Sequence, residues 1–319
     1  MSYKEVIKLD IEITKLNGDN YRLSDYGINV KDVVVENIES EDKFQDYEGI
    51  HGRHLISSVY RKRKILVPVF FIARDNIDYS LQRNLLYELV QDINPFWIRE
   101  LRKSKKDNYI FKDTVASEYQ IVDKNQNPVY QNNTDQFVTA KRYLVKLTNI
   151  LNPTQKNYTG NVQLEFETTK LPFAESIGTS LELHQQFISD LWSIDEEIDL
   201  EDESKQKYIF EKVNSGRVYY HGSIPNNQFN MYKRIKIILG HNTNKFIWSL
   251  NNKIIMSIKG LELKKGDQIE YDSLRILKNG ESIVRYTNSE LPTFESGYNN
   301  FVLNQTIKRI EFDMRFYSK

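Results

Sequence analysis

Five histidines and 44 carboxylate side chains are the groups in this chain that could move protons or hold a metal ion. His51 and His54 stand three apart, but Gly49 and Gly52 make that stretch a turn and not the helix face on which a zinc-binding pair sits. His184, His221 and His241 are scattered, with no carboxylate at ligand spacing. Cysteine is absent, which removes thiolate metal sites, cysteine nucleophiles and disulfides, and fits either redox compartment. Neither a glycine-rich phosphate loop nor a Gly-x-Ser-x-Gly turn occurs, so nucleotide hydrolysis and serine esterase chemistry have no carrier. Paired carboxylates of the glycosidase kind meet only in a fold, and among 44 acids chance pairs are cheap. No catalytic, cofactor-binding or metal-binding residue is assigned, and the chain is read as a non-enzyme.

Three other groups bear on binding. Trp248, Tyr271, Tyr286 and Tyr298 are candidates for a saccharide-stacking platform, although aromatics that alternate along strands more commonly face a core. Arg61 to Lys64 and Arg99 to Lys106 are basic clusters, but each abuts a strand or helix end and lacks the interleaved exposed aromatics of a nucleic-acid reader. In Asp195 to Glu203 seven of nine residues are acidic. That run lacks the glycine of a calcium loop and reads as a solvated joint.

The elements that would position these groups are mostly strands. The chain has 319 residues, more than one core usually serves, and 44 basic against 44 acidic side chains give no net field toward nucleic acid or anionic membrane. The N-terminus lacks a signal-peptide apolar core, and no stretch approaches the roughly 18 apolar residues of a membrane span, so synthesis in a cytoplasm and no membrane partner are expected. Twenty tyrosines and 16 phenylalanines favour pleated surfaces. Ile7, Leu9, Ile11 and Ile13 alternate with polar residues and predict a strand; Val30 to Ile38 and Ile65 to Ala73 predict two more, with Pro68 at an edge or bulge. Leu81, Leu85, Leu86, Leu89, Val90 and Ile93 predict a helix capped by Asp78 or Ser80 and stopped by Asn94-Pro95. Residues 97 to 141 read as a polar hairpin arm, followed by strands at Arg142 to Ile150 and Asn161 to Thr168. Leu181 to Trp192 reads as a short helix.

Beyond the acidic joint, strands at Tyr208, Arg217, Tyr232, Phe246 and Ile254 follow one another without a helix, with turns at Asn251-Asn252, Gly266-Asp267 and Asn279-Gly280. Such spacing argues for a sandwich or jelly roll. The fold class is mainly β: an N-terminal β-sandwich or split barrel with one helix and a long hairpin arm, and a C-terminal jelly-roll sandwich. The boundaries are 1–176, an acidic linker at 177–206, and 207–319, with a last strand free to cross back to the first domain.

Gly49-Ile50-His51-Gly52-Arg53, the strand from Arg63 to Phe71, the helix from Tyr79 to Ile93, and the run from Asn161 to Ser176 with its Leu171-Pro172-Phe173 ending resemble the N-terminal half of siphophage distal tail proteins. Gly222-Ser223-Ile224-Pro225, Gly266 to Tyr271, Asn279-Gly280, Leu291-Pro292 and Gly297-Tyr298-Asn299 resemble that family's galectin-like C-terminal domain. The resemblance implies a virion protein of phages of Gram-positive bacteria, and a homohexameric ring that continues the tail tube. It implies as partners the tail tube protein, a tail-associated lysin, and receptor-binding or other baseplate proteins, with DNA passing the channel without specific binding. The other reading is a carbohydrate-binding module that attaches the phage to cell-wall saccharide through the C-terminal domain. The arm at 97–141 and the acidic joint exceed what a minimal member needs.

Overall fold

Leu9–Thr14 forms as its alternation dictates, with Ile11 and Ile13 buried on one face. The computed structural model describes residues 9–102, 139–185, 191–192, 198 and 202–319. Ile7, residues 103–138 of the arm read at 97–141, and most of the acidic run fall outside the described residues, while residues 97–102 of that arm belong to the strand Phe96–Arg102. Leu9–Thr14 belongs to a large antiparallel sheet whose path runs Asn20–Arg22, Leu9–Thr14, Phe96–Arg102, Lys141–Leu147, Thr159–Thr168, Lys64–Ile72, Ile28–Val30. Ile65, Val67, Val69 and Phe71 point inward from one central strand and Leu164 and Phe166 from its neighbour, and together they make the first core.

The expected strand from Val30 to Ile38 is instead two short pieces, Ile28–Val30 and Val34–Val35, both paired to Lys64–Ile72. Pro68 explains the break. It pairs with Gln163 on one side, and on the other it faces the gap between the two pieces, where its carbonyl accepts from Lys31 N–H at 2.9 Å. A residue's N–H and C=O point to the same side of a strand, so the missing donor faces the interruption and removes no ladder bond. Proline here lies within the sheet, neither at its edge nor at a bulge.

Helix α1, Asn76–Val90, lies against this core through Tyr79, Leu86, Leu89 and Val90. Its N-cap is Asp75, whose carboxylate accepts from the Asp78 N–H at 2.8 Å, and not Asp78 or Ser80. The helix ends at Val90, before the Asn94-Pro95 signal, so Ile93 lies beyond it at 89% exposure; Leu81 is 61% exposed. The apolar stripe read from sequence therefore contained two residues that the core does not use.

The second core lies between a six-stranded and a four-stranded antiparallel sheet, which makes a β-sandwich. Lys233–Leu239 and Ile307–Met314 carry Ile235, Ile237, Ile310 and Phe312 inward from one sheet. Thr243–Leu250 and Gly297–Leu303 carry Phe246, Trp248, Leu250 and Phe301 from the other. Its hairpins use the residues read as turns: Asn251 and Asn252 adopt φ of 49° and 65°, and Asn279 and Gly280 adopt 49° and 89°. Helix α2, Ser180–Gln185, starts the segment expected to be a linker, yet Leu183 and Trp192 are buried in this second core. The expected helix continues to Trp192 in sequence, but most of its second half lies outside the described residues.

The large sheet and the four-stranded sheet each contain a glycine directly opposite a phenylalanine: Gly160 pairs with Phe71, and Gly216 with Phe301. The ring lies over the bare Cα, so a Cβ on Gly160 would come within 2.3 Å of Phe71 and one on Gly216 within 2.6 Å of Phe301. Gly160→Ala and Gly216→Ala are expected to destabilise by about 1–3 kcal/mol each through overpacking. Urea denaturation checks both, and a loss below about 0.5 kcal/mol would contradict the account.

A small third cluster joins the two units. Phe173, Ile224, Met231 and Tyr317 are buried together, with Ile38 and Leu171 against them. The chain's last described strand, Tyr317–Ser318, pairs with Ala174–Ser176 of the first sheet, with Ala174 opposite Ser318 and Glu175 opposite Tyr317. Beside it, Lys233 is almost fully buried, and its ammonium donates to Asn226 Oδ1 at 2.8 Å, Gln228 O at 2.8 Å and Asn226 O at 3.3 Å. Burial pushes this ammonium down to about 7. Between that value and the ordinary lysine value near 10.4, the unfolded chain binds the extra proton, so stability should rise with pH. Above pH 10 the buried tyrosines Tyr208 and Tyr220, whose hydroxyls burial pushes up, oppose the trend. Melting curves from pH 7 to 9.5 should show this rise for the native chain and lose it in Lys233→Met; identical profiles would refute it.

Candidate assembly interface

No three His, Asp or Glu side chains gather to hold a metal among the described residues. His51 and His241 are exposed, His54 packs edge-on against Tyr47, His184 bonds Gln206 O and His221 bonds Lys205 O. The four candidate saccharide residues do not converge either. Trp248 and Tyr271 point into the sandwich core from its two opposite sheets, at 0% and 3% exposure. Tyr286 is half-buried beneath Arg285. Tyr298 has Arg217 over one face at 4.2 Å, the edge of Tyr219 at 4.9 Å, and its hydroxyl on Ser204 Oγ at 2.8 Å. The platform is corrected accordingly: two of its members are core residues. Period-2 alternation with Phe246 and Leu250 already put Trp248 on a buried face.

The surface with unsatisfied needs is elsewhere. Glu39–Gln45 and His54–Lys62 form a two-stranded hairpin whose residues are almost all exposed. Gly49 and Gly52 adopt positive φ of 80° and 94° in its tip, which lets the chain reverse. Polar contacts along its length hold the register: Arg61 Nε to Glu41 at 2.5 Å, Ser58 Oγ to Asp42 at 2.6 Å, and Arg53 Nε to Asp46 at 3.2 Å. At the base, the Tyr60 ring meets Phe173 of the junction cluster edge-on at 5.9 Å. Between these anchors Phe44, Leu55, Ile56 and Val59 remain in water, Ile56 at 60% exposure. An isolated hairpin is marginal in water, and unpaired edges beside apolar side chains invite another chain.

The basic clusters are largely neutralised. Arg61 pairs with Glu41, Lys62 with Glu167 at 2.8 Å, and Arg102 with Glu100 at 2.7 Å; Arg63 is buried against Tyr143. Lys103 to Lys106 lie outside the described residues. Sequence reading missed the hairpin as an element, because polar residues occur on both faces of 39–45 and no alternation announces a strand.

Residues 21–168, which hold this hairpin, helix α1 and most of the first sheet, match the phage tail protein RIFT-related domain. The whole chain also superposes on the SPP1 Dit (gp 19.1) protein, described as a paradigm of the hub adsorption apparatus in phages infecting Gram-positive bacteria. The TM-score is 0.61 and the identity 11%, over 97% of this chain and 99% of that one. Residues 21–168 thus carry a phage tail protein domain, within a chain that shares the fold of that Dit protein.

The likeness to SPP1 Dit fixes the fold of this chain, both units included. Two structures of the phage p2 baseplate in its activated conformation, with strontium and with calcium, also align. At 8% identity and a TM-score of 0.36, over 96–97% of this chain and 97–98% of those chains, they carry no weight here. No curated protein matches this chain.

Proposed function

We propose that this chain is the hub of a tail tip: a homohexameric ring that continues the tail tube and anchors a tail-associated lysin and receptor-binding or other baseplate proteins. Residues 1–176 form the ring and 207–319 project from it, in the virion's tail tip. The observation that carries this reading is the hairpin Glu39–Gln45/His54–Lys62, an exposed ribbon that bears Phe44, Leu55, Ile56 and Val59 and has open edges, on a phage tail domain. Each subunit offers it to the next as a heterologous contact, and a rotation of one sixth of a turn closes the ring. Ion pairing of Arg61, Lys62 and Arg102 supports a channel in which DNA slides, because each phosphate neutralised would add affinity.

Light scattering with negative-stain imaging, with and without the co-expressed tail-associated protein, tests the proposal. Six-fold rings near six times 37.8 kDa are expected in at least one of the two conditions. A monomer in both would overturn it. The carbohydrate-module alternative retains only Tyr286 and Tyr298 as partly exposed rings. Tyr298→Ala is expected to leave pelleting with purified cell walls unchanged, and a marked loss would revive that reading.

A further inference from the structure

Where the two units meet, a groove of about 290 Å³ opens beside the junction cluster. One wall comes from the first sheet, with Trp97 and Arg142 on neighbouring strands and Leu171 beyond them; the other comes from the Phe229–Tyr232 loop and Arg315. The volume is near the lower limit for ligand pockets, about 300 Å³, which is room for one or two side chains. Phe229 stands at its rim, 58% exposed although it is a large apolar ring.

The charges are unbalanced. Arg142, Arg315 and Lys170 face the groove against one carboxylate, Glu175, in a chain whose charges otherwise cancel. Arg142 Nε and Nη2 reach Glu175 Oε1 at 3.1 and 2.8 Å, and Arg315 Nε approaches the same oxygen at 3.8 Å. Asp313, close to Arg315 in sequence, is engaged by the Tyr232 hydroxyl at 2.6 Å. Both guanidiniums are held over aromatic faces, Arg142 on Trp97 at 4.1 Å and Arg315 on Tyr232 at 5.7 Å, so they are ordered before any ligand arrives. Burial pushes the Arg142 guanidinium down, a sign that one shared carboxylate does not fully compensate it.

We propose that this groove docks a peptide segment of another protein in which an aromatic or aliphatic side chain is flanked by carboxylates. The apolar side chain would lie between Phe229 and Trp97, and the carboxylates would meet the surplus cations. A nucleic acid would want a track of cations, whereas three here surround a single apolar cavity. The hub reading enters only in making the peptide's owner a neighbouring tail component.

Trp97 is a built-in reporter, because Trp192 and Trp248 are buried in the second core while Trp97 lines the groove. The probe is an N-acetylated, amidated pentapeptide of alternating glutamate with one phenylalanine and one leucine, titrated into the full chain while emission is followed. A saturable change is expected, weakened about threefold or more by Phe229→Ala and by Lys170→Glu, both at exposed positions, and by raising salt to about 0.5 M. A flat titration, an equal response to the glutamine version of the peptide, or indifference to both substitutions would overturn the proposal. A monomeric chain that still binds would sink the ring and keep the groove; a ring that does not bind would do the reverse.

Discussion

Leu55→Asp combined with Val59→Asp should convert the proposed ring into monomers at micromolar concentration. Both side chains are about half exposed in the isolated subunit, so the substitutions leave its two cores untouched. In a closed ring each would lose burial worth about 1 kcal/mol and bring a carboxylate that must be desolvated or left facing an apolar neighbour. Together they should weaken each subunit contact by about 3–5 kcal/mol, a factor of about 150 to 4,000. Mass by light scattering should fall from six chains to one, while circular dichroism and the melting midpoint of the subunit stay within about 2 °C of the parent. Rings that persist at low micromolar protein would show that the hairpin is not the closing surface.

The second large effect is expected at Tyr317. Its ring is almost wholly buried in the junction, its hydroxyl accepts from Tyr232 N–H at 2.7 Å, its own N–H donates to the Tyr220 hydroxyl at 3.0 Å, and its carbonyl accepts from Ile224 N–H at 3.0 Å. Around it Phe316 N–H donates to Ser176 Oγ at 3.0 Å, and Arg315 donates to the carbonyls of Ser176 and Ile177. The ring is also clustered with Phe173 of the first unit and with Ile224 and Met231 of the second, so this side chain belongs to the apolar seam between the units. Tyr317→Ala should cost about 3–5 kcal/mol, by analogy with large-to-small changes of buried aromatics. Tyr317→Phe, which removes only the acceptor for Tyr232, should cost about 1–2 kcal/mol. Calorimetry of the alanine variant should resolve two transitions where the parent shows one, since the two cores would then melt separately. A single transition with an unchanged midpoint would mean that the junction does not couple them.

Strands whose apolar pattern runs without interruption were legible. Leu9–Thr14 follows from period 2 and Lys64–Ile72 from its unbroken apolar run, and the asparagine turns followed from the positive φ that asparagine tolerates. The helix was legible in kind but not in extent. Asp75 outcompeted Asp78 and Ser80 as cap, because its carboxylate reaches the Asp78 N–H while Asp78 itself turns to Arg74. Local patterning cannot decide between neighbouring acids when the choice depends on a tertiary start point. Trp248 and Tyr271 were candidates for a surface they do not reach, although the alternation that buried them was visible beside them. The proposed interface was least legible. Phe44, Leu55, Ile56 and Val59 belong to strands with no buried face, and a pattern of burial cannot reveal residues that nothing within the subunit covers.

The pairing of Ala174–Ser176 with Tyr317–Ser318 has a consequence for the order of folding. Its partners are some 140 residues apart in the chain, as with Ser176 and Phe316. Closing so long a loop before the intervening sandwich exists would cost chain entropy with little return, so the sandwich should condense first and the junction last. The seam would then be formed after the folding transition state and contribute mainly to the unfolding rate. Variants at the seam should refold at parental speed and come apart faster, which makes the lifetime of the assembled shape, more than its formation, the property this strand controls.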